Sequence, residues 1–177
     1  VPITYTFEPS AAAVDPALSD GILELWTDVT NAGGAVGFVP PVTAGDIRPA
    51  LAGQLAKVAT GEMRLLVGHD GEGRVAATAF LSHNAHHLQR HWLWVYTVMV
   101  HPRHQGAGRG RELMAAVEAA ARSLPGIDAL RLGCRGGHGL EHFYAACGYK
   151  EVGRVPDAIR VAPGDDRDDI TLLLPLH

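Results

Sequence analysis

Three glycines alternate with other residues in Gln105-Gly106-Ala107-Gly108-Arg109-Gly110, and an amphipathic run begins directly behind them. That combination suits the capture of an anion. The first N–H groups of a helix have no internal partner and lie at the positive end of its dipole. Glycine lets the backbone take positive φ and approach a ligand closely, so that successive N–H groups form a concave nest. A phosphate or pyrophosphate is the natural guest, with Arg103 and Arg109 adding positive charge beside it.

Several patterns compete for this loop. A Walker-type loop ends on Gly-Lys-Ser/Thr, whereas Arg111-Glu112 follow Gly110. A dinucleotide fingerprint reads G-x-G-x-x-G with an acidic residue about 20 positions on. The loop here is G-x-G-x-G, Asp128 follows a Pro-Gly break, and too little chain remains for a second mononucleotide-binding half. A glycine-rich turn that merely packs a helix tightly on a strand is the plainest account. The remaining pattern is a strand, His101-Pro102, Gln-x-x-Gly-x-Gly and a helix. A second distinctive stretch, Phe143-Tyr144-Ala145-Ala146-Cys147-Gly148-Tyr149, follows about 35 residues after the loop.

In this order, with a strand between them, the two stretches resemble the coenzyme A pyrophosphate loop and the F-Y-x-x-x-G-F/Y signature of the GNAT superfamily of N-acetyltransferases, loosely those of the tabtoxin-resistance type. The resemblance covers about Arg74 to Val155 of the chain. It implies acetyl-CoA as co-substrate, its pantetheine held like an extra strand between two splayed parallel strands ending near Val100 and Leu132. Backbone groups of Val98 and Val100 would pair with the pantetheine amides, and the N–H of Met99 or Val100 would face the thioester oxygen. The pyrophosphate would sit over Gln105, Gly106, Ala107, Gly108, Arg109 and Gly110. Tyr144 falls at the family's general-acid position. A phenol has a pKa near 10, stays protonated at neutral pH and can donate to a departing thiolate. Phe143 joins the cofactor-binding set, although packing of its helix on the sheet accounts for it equally. The family often carries an Asn some six residues before this Phe; Gly137 stands there, so that contact is lost or passes to His138.

The resemblance implies direct attack by a primary amine of a small molecule or peptide, so neither Cys134 nor Cys147 is required as a nucleophile. Many family members place a carboxylate on the central strand as base, but Trp94-Val95-Tyr96-Thr97 offers none. His91, Tyr96, Glu62, Asp157 and a water chain remain as candidates. The same gap supports an alternative from another class, a non-catalytic acyl-CoA-binding sensor or interaction module. Val36, Phe38, Trp92 and Trp94 favour an apolar or aromatic amine if they face the pocket. Homodimers are common in the family, and nothing in the sequence decides the matter.

The elements that must position these residues follow from periodicity. Trp92 to Val100 is apolar on both faces, as in a central strand covered on both sides, and Pro102 ends it. Behind the loop, Leu113, Met114, Val117, Ala120, Ala121 and Leu124 form one helical stripe. Upstream, Ile3–Phe7 reads as a strand, an alanine-rich linker follows, and Asp15-Pro16 opens a helix. Gly33 to Pro41 reads either as the wall of a second-substrate pocket or as a loop tucked over the core. A second helix starts near Thr43 or Asp46, shows Leu51, Leu55, Val58 and Ala59 on its apolar face and closes at Gly61. Asp70-Gly71-Glu72-Gly73 joins strands Met63–Val67 and Arg74–Leu81 as a hairpin. Ala129–Leu132 is the next strand, parallel to the central one through a helical crossover. A helix from Leu140 to Cys147, a strand from Tyr149 to Val155, a loop over Pro156–Asp168 and a strand from Asp169 to Leu174 complete the chain. The fold class is α/β with one mixed sheet, antiparallel at its start and parallel at its centre, and 1–177 reads as one domain with the acetyl-CoA-binding core at about 74–155.

Composition narrows the partners. A net charge of −4 argues against nucleic acid, which normally meets a basic face. Two cysteines are too few for a disulfide framework and fit a reducing compartment. The longest apolar run, Trp92–Val100, is too short to span a bilayer, so no membrane and a cytoplasmic setting are expected. His83, His86, His87 and His91 cluster, and His138 and His142 have i, i+4 spacing, yet no cysteine pair joins them, so no metal is expected.

Overall fold

A computed structural model describes residues 2–8 and 15–177; the alanine-rich linker falls outside the described residues. The strands are β1 (Thr4–Glu8), β2 (Met63–His69), β3 (Val75–His83), β4 (Trp92–Val100), β5 (Ala129–Arg135), β6 (Lys150–Ala162) and β7 (Asp165–Pro175). They form one sheet in the order β1-β2-β3-β4-β5-β7-β6. Among the described residues only β4 and β5 pair in parallel; the other neighbours are antiparallel. The helices are α1 (Pro16–Asn31), α2 (Ala44–Thr60), α3 (Arg109–Arg122) and α4 (Leu140–Ala146), with short 3₁₀ turns at His87–Gln89 and Pro102–His104.

Local chemistry fixes the helix ends. Asp15 caps α1 by accepting from the Leu18 N–H at 2.7 Å, with Pro16 in the first turn. Thr43 and Asp46 form a reciprocal capping box on α2, and Gly61 ends it at φ 80°. Such an N-terminal cap contributes about 0.5–2 kcal/mol. Leu51 and Val58 are buried on α2 as expected, whereas Ala59 is exposed and Ile47 takes its place in the core.

Alternate residues of the central strands feed two cores on opposite faces of the sheet. Leu66, Leu81, Leu93 and Val95 pack under Leu113, Met114 and Val117 of α3. Leu65, Val67, Phe80 and Met99 pack under Ile22, Trp26 and Leu51 of α1 and α2. Strand β4 is buried at Trp92, Leu93, Val95 and Met99, but Tyr96 is 41% exposed. The expectation of a strand covered on both sides therefore holds for its first half only, because a cleft opens beside the second.

The expected loop over Pro156–Asp168 is a continuation of two strands. β6 and β7 run on as a hairpin, turning at Pro163-Gly164 with Gly164 at φ 77°. Arg160 meets Asp166 across it at 2.7 Å, and Arg154 meets Asp168 at 2.8 Å. β6 is an edge strand, where a proline need not donate to a ladder, and a bulge between Val155 and Ile159 takes up Pro156. Among the described residues no helix is long and apolar enough to cross a membrane.

Candidate active site

β4 and β5 pair only from Trp92/Ala129 to Val95/Leu132. Beyond that rung the two strands no longer pair with each other, although β4 runs on beside β3 to Val100 and β5 beside β7 to Arg135. The gap between them opens into two adjoining compartments that share Ala35, Val98, Leu140 and Tyr144. The inner one, about 280 Å³, is walled by Trp26, Val36, Gln54, Tyr96, Thr97 and Gly133 among others. The outer one, about 550 Å³, reaches the glycine loop. A larger cavity of about 660 Å³ lies elsewhere, between α1 and the β2–β3 turn, and contains neither the loop glycines nor Tyr144.

At the outer compartment, Gly106 and Gly108 take φ of 84° and 76°, and Gly108 is the N-cap of α3 without any side-chain cap. The N–H groups of the first turn, which no preceding helical carbonyl can reach, are therefore left without a side-chain acceptor from Gly108. Gly110 is needed for close approach, since a Cβ there would stand 3.0 Å from the Phe143 ring. Val98, Val100, Gln105, Gly106, Gly108, Arg109, Gly110, His138, Phe143 and Tyr144 all line this space. Ala107 and Met99 do not; the Met99 side chain is 2% exposed, in the core beneath α1 and α2. Gln105 donates from Nε2 to the Val100 carbonyl at 2.9 Å, tying the loop to the end of β4.

The arginines differ from expectation. Arg109 lines the compartment but also holds Glu112 at 2.7 Å. Arg103 turns away, toward His101 at 3.2 Å, and lines the larger cavity, because the 3₁₀ turn Pro102–His104 directs it there. Arg111 lines the outer compartment in its stead. Arg111 carries no local sequence signal for this role, and Gly33-Gly34-Ala35, from the segment that reads as a pocket wall or a loop over the core, close the opposite side.

From the segment 32–43, Ala35, Val36 and Gly37 line the inner compartment, while Val36, Phe38 and Val42 pack on the core. Trp26 Nε1 donates to the Val36 carbonyl at 2.8 Å, Asn31 bonds both backbone groups of Val42 at 2.9 Å, and Arg135 donates to the Phe38 carbonyl at 3.3 Å. Trp92, Trp94 and Tyr96 form a ladder with centroids 5.2 and 6.1 Å apart, and Tyr96 ends it in the compartment.

Tyr144, 8% exposed, stands where the compartments meet, edge-on to Phe143 at 5.1 Å. Burial, with the neighbouring Cys134 and Cys147, pushes its phenol well above the ordinary value. Burial also pushes the Cys134 thiol up to about 11, which makes it a poor nucleophile at neutral pH. Of the four base candidates only Tyr96 lines the inner compartment, and burial raises its phenol too. His91 and Glu62 lie at strand beginnings, and Asp157 sits in the β6 bulge at φ 53°. Among the described residues no Asp, Glu or His side chain lines the inner compartment. At position 137, where the family often has Asn, φ is 91°, which strains any residue with a Cβ, and the Arg167 guanidinium fills the space a side chain would take. The rings of His86 and His87 stack at 5.0 Å, and among the described residues no group of three or more His, Cys, Asp or Glu could hold a metal ion.

A mixed sheet whose parallel pair parts beside a glycine-capped helix provides a cleft for an extended, phosphate-bearing ligand. Residues 44–149 match the acetyltransferase (GNAT) family, and the chain belongs to it. It is therefore an N-acetyltransferase. The same fold occurs in a protein provisionally described as a phosphinothricin N-acetyltransferase, at 19% identity and a TM-score of 0.78, over 98% of this chain and 99% of that one. It recurs in the phosphinothricin acetyltransferase from Sinorhizobium meliloti in complex with acetyl-CoA, at 18% identity and a TM-score of 0.73, over 98% and 88% of the two chains. The ribosomal-protein-alanine N-acetyltransferase from Brucella melitensis shares it at 18% identity and a TM-score of 0.69, over 99% of each chain.

Proposed function

We propose that the protein transfers the acetyl group of acetyl-CoA directly to a primary amine carried on an apolar or aromatic body, with Tyr144 as general acid. The observation that carries this reading is the parting of β4 from β5 after Val95/Leu132, with the glycine-capped helix at one end of the gap and Tyr144 at its middle. The pyrophosphate lies over Gln105–Gly110, and the pantetheine follows Val98 and Val100. The backbone donors past Thr97 stabilise the oxygen of the tetrahedral intermediate.

The amine nitrogen attacks the carbonyl carbon, the C–S bond breaks, and the thiolate takes the Tyr144 proton. With no carboxylate or imidazole on the inner wall, the ammonium loses its proton to solvent before attack, and the surplus proton of the adduct returns to Tyr144 through water. The raised phenol supports the acid role, because it stays protonated at neutral pH. Trp26, Val36 and Tyr96 on the wall support an uncharged, apolar acceptor body.

The test is thiol release from acetyl-CoA across a panel of arylalkyl, aliphatic and polycationic amines and short peptides. Faster turnover with arylalkyl amines is expected. Donor binding without turnover on any amine would defeat the reading.

A further inference from the structure

Thr97 has φ 52°, a left-handed conformation rare for a β-branched residue. It lies where Ala79 of β3 faces both Thr97 and Val98, between the rungs Phe80/Tyr96 and Thr78/Met99. A bulge of this kind leaves the extra residue's backbone groups out of the ladder. It falls two residues past Val95, where β4 has just left β5.

Two side chains from remote elements hold Thr97. Gln54, on α2, donates from Nε2 to Thr97 Oγ1 at 2.7 Å. Thr78, fully buried on β3, donates from Oγ1 to the Thr97 carbonyl at 3.1 Å. Gln54 keeps this bond although its own Oε1 is buried without a partner. Left-handed backbone at a residue with a Cβ costs free energy and persists only where the surroundings over-determine it. Left unpaired, the Thr97 carbonyl would add a further cost, which the Thr78 hydroxyl offsets. The strained backbone and the held carbonyl belong to one residue on the wall of the inner compartment.

We propose that Gln54 and Thr78 are positioning residues, a two-point clamp that sets the Thr97 bulge and so aims the N–H groups following it at the acetyl carbonyl oxygen. The proposal rests on the acetyl-transfer reading of this cleft. The clamp touches neither the glycine loop nor Tyr144, so it governs polarisation of the thioester rather than grip on the coenzyme.

The experiment is infrared difference spectroscopy of acetyl-CoA labelled with ¹³C at the thioester carbonyl, with affinity measured by calorimetry. It needs no acceptor. In the unaltered protein the carbonyl band shifts down on binding. Gln54→Leu loses most of that shift while its Kd stays within about twofold, since only the coenzyme contacts set affinity. Thr97→Val, which removes Oγ1 from the other side of the bond, gives the same loss and stands in if Gln54→Leu does not fold. In a Thr97→Gly background, where the left-handed conformation is free of strain, adding Gln54→Leu causes no further loss. An unchanged band in Gln54→Leu or Thr97→Val with donor bound overturns the clamp alone. A further loss in the glycine background also overturns it, because Gln54 would then act other than through the backbone. Failure of the unaltered protein to bind acetyl-CoA overturns the acetyl-transfer reading and the clamp together.

Discussion

Val95 and Leu132 are the last rung between β4 and β5, and past them the two strands leave a gap that opens on Tyr144. A parallel pair that parts leaves backbone groups of both strands free for a third, extended partner. The proposed site follows from this divergence, because it places the Tyr144 hydroxyl beside whatever lies in the gap.

Tyr144→Phe keeps the ring that packs edge-on against Phe143 and Tyr149 and removes only the hydroxyl. General acid catalysis typically contributes about 10²–10⁴-fold. With the acceptor that serves best in the amine panel, kcat is expected to fall by about a hundredfold, with the Kd for acetyl-CoA by calorimetry little changed. An unaltered kcat would remove Tyr144 from the mechanism.

Gly108 is the N-cap of α3 at φ 76°, and a Cβ there would have open space around it. The cost of Gly108→Ala is therefore backbone strain, about 1 kcal/mol, rather than collision. The N–H groups at the helix start should be misaligned in proportion. Calorimetry is expected to show a five- to tenfold weaker Kd for coenzyme A, by the usual conversion of about 1.4 kcal/mol per decade, and the ordinary kinetics of Tyr144 otherwise retained. A variant that binds as tightly as the parent would separate the loop from pyrophosphate recognition.

Much of this was legible in the sequence where the signal is local. Trp92–Val100 is bounded by its apolar run and Pro102, and Asp15, Thr43 and Gly61 mark helix ends by their side chains or their absence. The loop glycines and Tyr144 fall in contiguous motifs, and the structure brings all but Ala107 and Met99 of the expected set to one cavity. What escaped depends on pairing across distance. The β6–β7 hairpin looks like a loop in one dimension, because Pro156, Gly164 and the aspartates disfavour strand until Arg154 and Arg160 meet them from the facing strand. Thr97 carries no sign of positive φ, since threonine ordinarily favours extended backbone, and Gln54 lies 43 residues before it.

Asp70 tests how firmly the β2–β3 turn and the segment leading into the glycine loop are held. Its carboxylate accepts from the N–H groups of Glu72 and Arg74 at 2.9 and 3.0 Å and from Arg74 Nε at 3.0 Å, and His104, just ahead of the loop, stands 3.4 Å away. Burial works to raise this carboxyl, yet the backbone donors and the Arg74 guanidinium outweigh it and hold it well below the carboxylate range. A carboxyl lowered by folding stabilises the native state fully above its unfolded pKa, about 4, and loses that contribution as pH falls further. Asp70→Asn should cost about 1–3 kcal/mol at pH 7, by turning an amide donor on Arg74. Urea melts should show that the difference from the parent shrinks below pH 4. A constant difference down to pH 2 would contradict the linkage.

The tyrosines test the alkaline side. The chain has four, and burial is the leading cause that raises each phenol: Tyr5 to about 12, with Tyr96, Tyr144 and Tyr149 also above the ordinary value of 10.0. A phenol whose pKa is raised by folding contributes stability that is complete below pH 10 and lost as pH rises toward the folded value, because the unfolded chain releases its protons first. Ultraviolet titration at 295 nm should therefore show less than half of the native tyrosines ionised at pH 10, while all four titrate near pH 10 in guanidinium. Chemical stability should fall steadily from pH 10 upward. The transferase rate should show no decline attributable to Tyr144 below pH 10, since its proton remains in place there. A native titration curve that overlays the denatured one would mean that Tyr144 is in open solvent, and its buried place where the two compartments meet would be lost.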